Sequence, residues 1–193
     1  MIQKKIIICI FVSQLALAAI GQTARTMPDK EQLEIALDYF SSSKYREALT
    51  LLTKLDKKYK LNPRFKAYIG VCHYYEWNYK EACKYLDATI KDIEVYAPHE
   101  RSIYYFTDAE SHFFLEEYEK AIPLYEKMLN VCFNNEKGDA FFRLGFCYIH
   151  INENKVALDN LNSALLYYEK FGYSDDKKAR IVQIKKMIEG LKK

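Results

Sequence analysis

Between Glu117 and Leu129 the chain reads EYEKAIPLYEKML, a helical run of large and charged residues in which a small residue, Ala121, fills a slot suited to bulk. The slot recurs at Ala48 in KYREALTLL, Ala82 in NYKEACKYL and Ala157 in ENKVALDNL, so that successive copies lie 34, 39 and 36 residues apart. Four residues after each alanine stands a large apolar residue: Leu52, Leu86, Tyr125 or Leu161. Twelve residues before each stands another small one, Ala36, Gly70, Ala109 or Gly145, followed three residues later by Tyr39, His73, His112 or Tyr148. An offset of twelve across a turn signal (SSSKY, EWNY, LEEY, NENK) puts the two small residues level on the arms of an antiparallel helix pair. Side chains without bulk then let the helices approach, and the large residue one turn on fills the space beside them.

The pattern predicts helix pairs over 29–42 with 45–60, 63–76 with 79–96, 99–115 with 118–132, and 137–151 with 154–171. Asn62 ahead of Pro63 is a cap followed by a residue that needs no N–H partner in the first turn, and Pro98 can act likewise. Pro123 is expected near the first turn of its helix, where a missing donor costs little. Gly172 can close the fourth pair, and Ser174, Asp175 and Asp176 can start a last helix to about Leu191. A stack of helix pairs leaves its final apolar face open, and this lysine-rich helix is the expected cap.

These residues resemble the tetratricopeptide repeat (TPR) family, whose pattern is W-x2-L-G-x2-Y, then A-x3-F, then P. RLGFCY, Arg143 to Tyr148, is the nearest copy of the first half, and the resemblance runs from about Pro28 to Gly172. The Trp position instead holds Gln32, Lys66, Tyr105 and Phe141; the closing Pro position holds Lys60, Glu94, Phe133 and Glu169; and Asp108 replaces a leucine in the third unit. The resemblance implies an all-α, right-handed helical-repeat solenoid of about four TPR-like helix pairs, over 29–62, 63–98, 99–136 and 137–172, with a capping helix in 173–193. It also implies a concave groove lined by first helices. The groove positions are Arg64, Ala67, Val71, Tyr74 and Tyr75, then Ile103, Phe106, Glu110, Phe113 and Phe114, then Asp139, Phe142, Phe146, Ile149 and His150. Such an aromatic surface suits an apolar or extended peptide. Burial of the same face against itself or a second copy is the competing reading. The Lys and Asn pattern with which some family members clamp a C-terminal carboxylate is not matched.

The start of the chain adds a destination. MIQKKIIICIFVSQLALAAIG has two lysines, an apolar run and small residues near Ala19 and Gly21, the layout of a secretory signal peptide over 1–21, with 22–28 a short linker. Cleavage after Gly21 exposes Gln22, and cleavage after Ala18 is the alternative. The expected location is periplasmic, cell-envelope or secreted; an uncleaved N-terminal membrane anchor is the competing reading. Removing the leader lowers the formal charge from +3 to +1. No basic stripe survives to favour nucleic acid, and no stable membrane insertion is expected after cleavage.

Chemistry is sparse. There is no nucleophile elbow, phosphate loop or HExxH sequence, and the carboxylates of LEEYEK alternate with lysines as on a solvated helix face. The chain therefore reads as non-enzymatic and without a cofactor. Cys72, Cys83, Cys132 and Cys147 fit no zinc spacing. Cys72 and Cys83 lie equally far from the turn near Trp77, which permits a disulfide in an oxidising compartment; free thiols packed as small hydrophobes are the other reading. His73 and His112 replace the repeat tyrosine and are expected in the core, and no metal site is expected from them. The function that follows is binding of a partner protein or peptide on the aromatic groove. Two alternatives are a small-ligand or glycan module using Tyr74, Tyr75, Phe113 and Phe114, with Arg64, Glu110 and His150 as polar neighbours, and a subunit that self-associates.

Overall fold

A computed structural model of the chain describes residues 27–171 and 175–192. The expected signal peptide, Gly172 and Ser174 lie outside the described residues. Among those described, nine α-helices and one 3-10 turn occur, with no strand. The helices are α1 (Asp29–Ser41), α2 (Tyr45–Tyr59), α3 (Pro63–Tyr75), α4 (Tyr79–Thr89), α5 (Pro98–Phe114), α6 (Tyr118–Leu129), α7 (Asn134–His150), α8 (Asn154–Phe171) and α9 (Asp175–Leu191). Each odd-numbered helix from α1 to α7 packs on the helix that follows it, and each pair packs on the next through α2–α3, α4–α5 and α6–α7. This is an all-α helical-repeat solenoid.

Small residues set the helix spacing as the sequence pattern requires. Ala36, Ala48, Ala82, Ala109, Ala121 and Ala157 are fully buried. A Cβ added at Gly70 would lie 2.6 Å from Leu86 Cγ, and one at Gly145 would lie 2.7 Å from Leu161 Cδ2 and 3.5 Å from the Ala157 carbonyl oxygen. The small residue of the first helix is thus covered by the large residue four positions beyond the alanine of the second. Turns between paired helices share one conformation: Ser43, Trp77, Glu116 and Asn152 have φ of 58°, 61°, 61° and 62°. Backbone bonds close each turn, for example Glu117 N–H to the His112 carbonyl at 2.9 Å. None of the four is glycine, so each carries the left-handed penalty of an L residue.

Two boundaries and the placement of one proline differ from expectation. α4 ends at Thr89, and a 3-10 turn over Asp92–Val95 replaces its last turns. The Thr89 hydroxyl donates to the Tyr85 and Leu86 carbonyls, both at 3.1 Å, while Ile93 in the turn is buried. α7 begins at Asn134 because the Glu136 carboxylate accepts the Phe133 N–H at 2.8 Å. Pro123 stands inside α6, beyond the first turn, so the Glu119 carbonyl loses its helical donor.

The core is continuous along the stack. A first cluster joins Leu52, Ile69 and Cys72; a central one joins Leu86, Tyr104, Tyr105, Tyr125 and Leu144. The last joins Phe142, Leu161 and Tyr168 to Ile184 and Ile188 of α9, which covers the final pair.

Candidate functional site

Aromatic residues at the ends of helices form a ladder between repeats. The first residue of each second helix stacks on the last residue of the next repeat's first helix. Tyr45 lies 4.1 Å from Tyr75, Tyr79 lies 4.7 Å from Phe114, and Tyr118 lies 4.4 Å from His150, with interplanar angles of 4°, 18° and 10°. α8 begins with Asn154, and the ladder ends there. Tyr75, Phe114 and His150 are groove positions by the repeat pattern; the structure places one face of each ring against a neighbouring repeat. The signal is present in KYREA, NYKEA and EYEKA, where tyrosine precedes the small alanine by three residues.

Further in, the Glu110 carboxylate accepts from the Tyr125 hydroxyl and pairs with Arg143 at 2.6 Å. The Arg143 guanidinium also lies 4.6 Å from the Phe113 ring centroid, and Phe113 meets Phe146 edge to face. This cation holds α5 and α7 together. Arg64 pairs with Glu100 at 2.9 Å and covers the Tyr96 ring.

The predicted groove is therefore only partly available. Val71, Glu110 and Phe142 are buried, out of reach of a partner on this face. Val71 belongs to the central core, Glu110 is enclosed by Tyr125 and Arg143, and Phe142 lies beneath Arg180 of α9. Tyr74, Phe106, Phe113, Phe146 and Ile149 are half-buried, while Ile103 retains 45% of its surface. An open cavity of about 200 Å³ is lined by Tyr75, Ile103, Phe106 and Asp139, with Ser102 and Glu136 beside them. Its carboxylates are engaged: Glu136 with His99 and the Phe133 N–H, and Asp139 with Tyr168 and Lys177.

A second constellation lies between α4 and α5. Cys83, Asp108 and His112 are buried, with one ligand atom of each within 4.8 Å of the others. His112 Nδ1 lies 2.6 Å from Glu117 Oε2, and Nε2 lies 3.2 Å from Asp87 Oδ1 and 3.8 Å from Asp108 Oδ1. Burial opposes charge on the imidazole, but hydrogen bonds to Asp87, Cys83 and Glu117 outweigh it and push its pKa up to about 11. Burial pushes the Asp108 carboxyl up to about 8, with Asp87 adding to the rise and His112 opposing it. Sequence spacing does not bring these groups together, because Cys83 and His112 belong to different repeats. Cys72 and Cys83, a candidate disulfide by sequence, are both free thiols here: Cys72 packs with Leu52 and Ile69, and Cys83 faces His112. His73 stacks on Tyr85 at 5.7 Å, away from this cluster.

The class this geometry defines is the helical-repeat solenoid, consistent with the tetratricopeptide type. Solved structures similar to it include MamA AMB-1, at a TM-score of 0.63 and 15% identity over 84% of this chain and 92% of that one. A MamA RS-1 double mutant matches at 0.59 and 16%, covering 85% and 94%. MamA 41-end from Desulfovibrio magneticus RS-1 matches at 0.58 and 15%, covering 84% and 92%. At such identity the likeness is one of fold. No protein-family model and no curated protein matches the chain.

Proposed function

We propose that the chain is an exported, non-enzymatic interaction scaffold that holds a partner protein or peptide on its first-helix face. The observation that carries this reading is the open cavity whose accessible wall is Tyr75, Ile103 and Phe106 while the carboxylates around it already have partners. A wall with apolar surface to bury and its flanking charges satisfied favours an apolar side chain of a peptide over a polyhydroxylated sugar, which needs free polar groups beside the rings. Stacking between repeats holds Tyr75 in place before a partner arrives, which lowers the ordering cost of binding.

The test is capture from a cell-envelope fraction by the wild-type chain and by Ile103→Glu, with the helical circular dichroism of both compared. A protein retained by the first and lost by the second, at unchanged helicity, supports the face as the binding surface. Equal capture by both moves binding elsewhere, and recovery of this chain alone, with mass falling on dilution, favours self-association. Export rests on the N-terminal pattern. A mature chain beginning at Gln22 or Ala19 in the envelope fraction supports it, and an intact chain in the cytoplasm refutes it.

A further inference from the structure

We infer that the boundary between the second and third repeats holds a divalent transition-metal site of zinc type, with Cys83, Asp108, His112 and Asp87 as ligands. The four residues form two pairs spaced four apart, Cys83 with Asp87 on α4 and Asp108 with His112 on α5, so each pair faces one side of the contact between these helices. The repeat pattern sets this boundary apart. At the position of Asp108 the other units carry Ile35, Ile69 and Leu144, and at the position of Cys83 they carry Leu49, Ile122 and Leu158. Two apolar packing positions have thus become a carboxylate and a thiol at the same interface.

The geometry points the same way. Asp108 is 0% exposed, and neither of its carboxylate oxygens has a hydrogen-bond partner among the described residues. A buried carboxylate in that condition needs a cation or a donor. His112 turns Nδ1 to Glu117 Oε2 at 2.6 Å, which leaves Nε2 facing Asp87 and Asp108 at 3.2 and 3.8 Å. A carboxylate holding the far nitrogen of an imidazole is the usual outer support of a metal-bound histidine. In a tetrahedral zinc site with N and O ligands at about 2.0 Å and S at about 2.3 Å, the ligand atoms lie about 3.3 to 3.6 Å apart. The separations lie at or within 4.8 Å for the buried three, so their closure needs movements of about 1 Å, and Asp87, which meets His112 Nε2 at 3.2 Å from its exposed position, turns inward to complete the set. One thiolate, one imidazole and two carboxylates suit zinc or cobalt, and not calcium or magnesium, which take oxygen sets. Asp87 keeps 55% of its side chain exposed and provides the route in. With four protein ligands the ion would clamp two repeats together.

The probe is cobalt(II) chloride, then zinc chloride, added to the untagged, reduced and chelator-stripped full chain. Expected are one cobalt per chain, visible bands of tetrahedral intensity and a sulfur-to-cobalt charge-transfer band, all displaced by zinc, together with a raised melting temperature at one equivalent. Cys83→Ser should remove the charge-transfer band, whereas Cys132→Ser should keep it. Glu117→Gln should weaken zinc binding about 10- to 100-fold. Absence of stoichiometric uptake, or a charge-transfer band that survives Cys83→Ser, overturns the site. Should Cys83→Ser not fold, Asp87→Ala at the exposed mouth decides: weakened zinc binding upholds the four-ligand set, and unchanged affinity overturns it.

Discussion

A methyl group at Gly145 tests whether close approach of the helices holds the fourth pair together. Gly145 lies within α7, where replacing glycine by alanine favours the helix by about 0.8–1.0 kcal/mol on propensity alone. The added Cβ would stand 2.7 Å from Leu161 Cδ2 and 2.8 Å from Leu161 Cγ. Cγ is near the root of that side chain, so relief needs the whole fully buried leucine to shift and not just its tip. Overpacking of this kind costs about 1–3 kcal/mol. The net expectation for Gly145→Ala is a loss of up to about 2 kcal/mol, or several degrees in melting temperature for a chain of this length. Gly190, in the last turn of α9, has open space where a methyl group would stand, with nothing within 4 Å, and Gly190→Ala should leave stability unchanged or slightly raised. Urea unfolding followed by circular dichroism measures both. A cycle with Leu161→Ala completes the test: removing the leucine should make Gly145→Ala stabilising, with a coupling of about 1–3 kcal/mol. Stabilisation by Gly145→Ala in the intact chain would refute the close approach.

Other perturbations probe different terms. Glu110→Ala leaves the Arg143 cation without its partner in a largely enclosed site and should cost about 3–5 kcal/mol by urea unfolding, whereas Arg46→Ala removes an exposed pair with Glu76 and should be near neutral. Pro123→Ala restores a helical donor inside α6 and should stabilise by about 1–3 kcal/mol; since Pro123 is exposed, no gain would mean that its restriction of the unfolded chain offsets the lost bond. Burial pushes the Cys72 and Cys147 thiols up to about 12, so between pH of about 9 and 12 the unfolded chain sheds protons that the folded chain keeps. Stability from these thiols is complete below about pH 9 and falls by on the order of 1 kcal/mol per pH unit per thiol as pH rises; urea midpoints at pH 8 and 10 should show the fall, with a shallower slope in Cys72→Ala.

Much of the fold is legible along the chain because helix pairing leaves a local record. Small residues twelve apart, and the large residue four beyond the second, are dictated by how closely two helices joined by a short turn can approach. That record predicts the Gly70 and Gly145 slots that Leu86 and Leu161 fill. It predicts α6 less well at Pro123, because a missing donor is not visible in a pattern of side-chain size. Groove positions such as Ile103 and Phe106 do line the open cavity, but the same pattern includes Val71, Glu110 and Phe142, which neighbouring elements cover.

Sequence alone thus determined the repeat period, the helix pairs and the small residues that set their spacing, because these depend on residues within about forty positions of one another and on helical periodicity. Tertiary structure alone decided which first-helix side chains face solvent, since burial of Phe142 depends on α9 and burial of Glu110 on Tyr125 and Arg143. It also decided that Cys83 meets His112, and that the tyrosines recurring three residues before the small alanines, Tyr45, Tyr79 and Tyr118, find Tyr75, Phe114 and His150 of the following repeat as their partners. These contacts cross from one repeat to the next, and their geometry is set by the angle at which the pairs stack, which no spacing along the chain records.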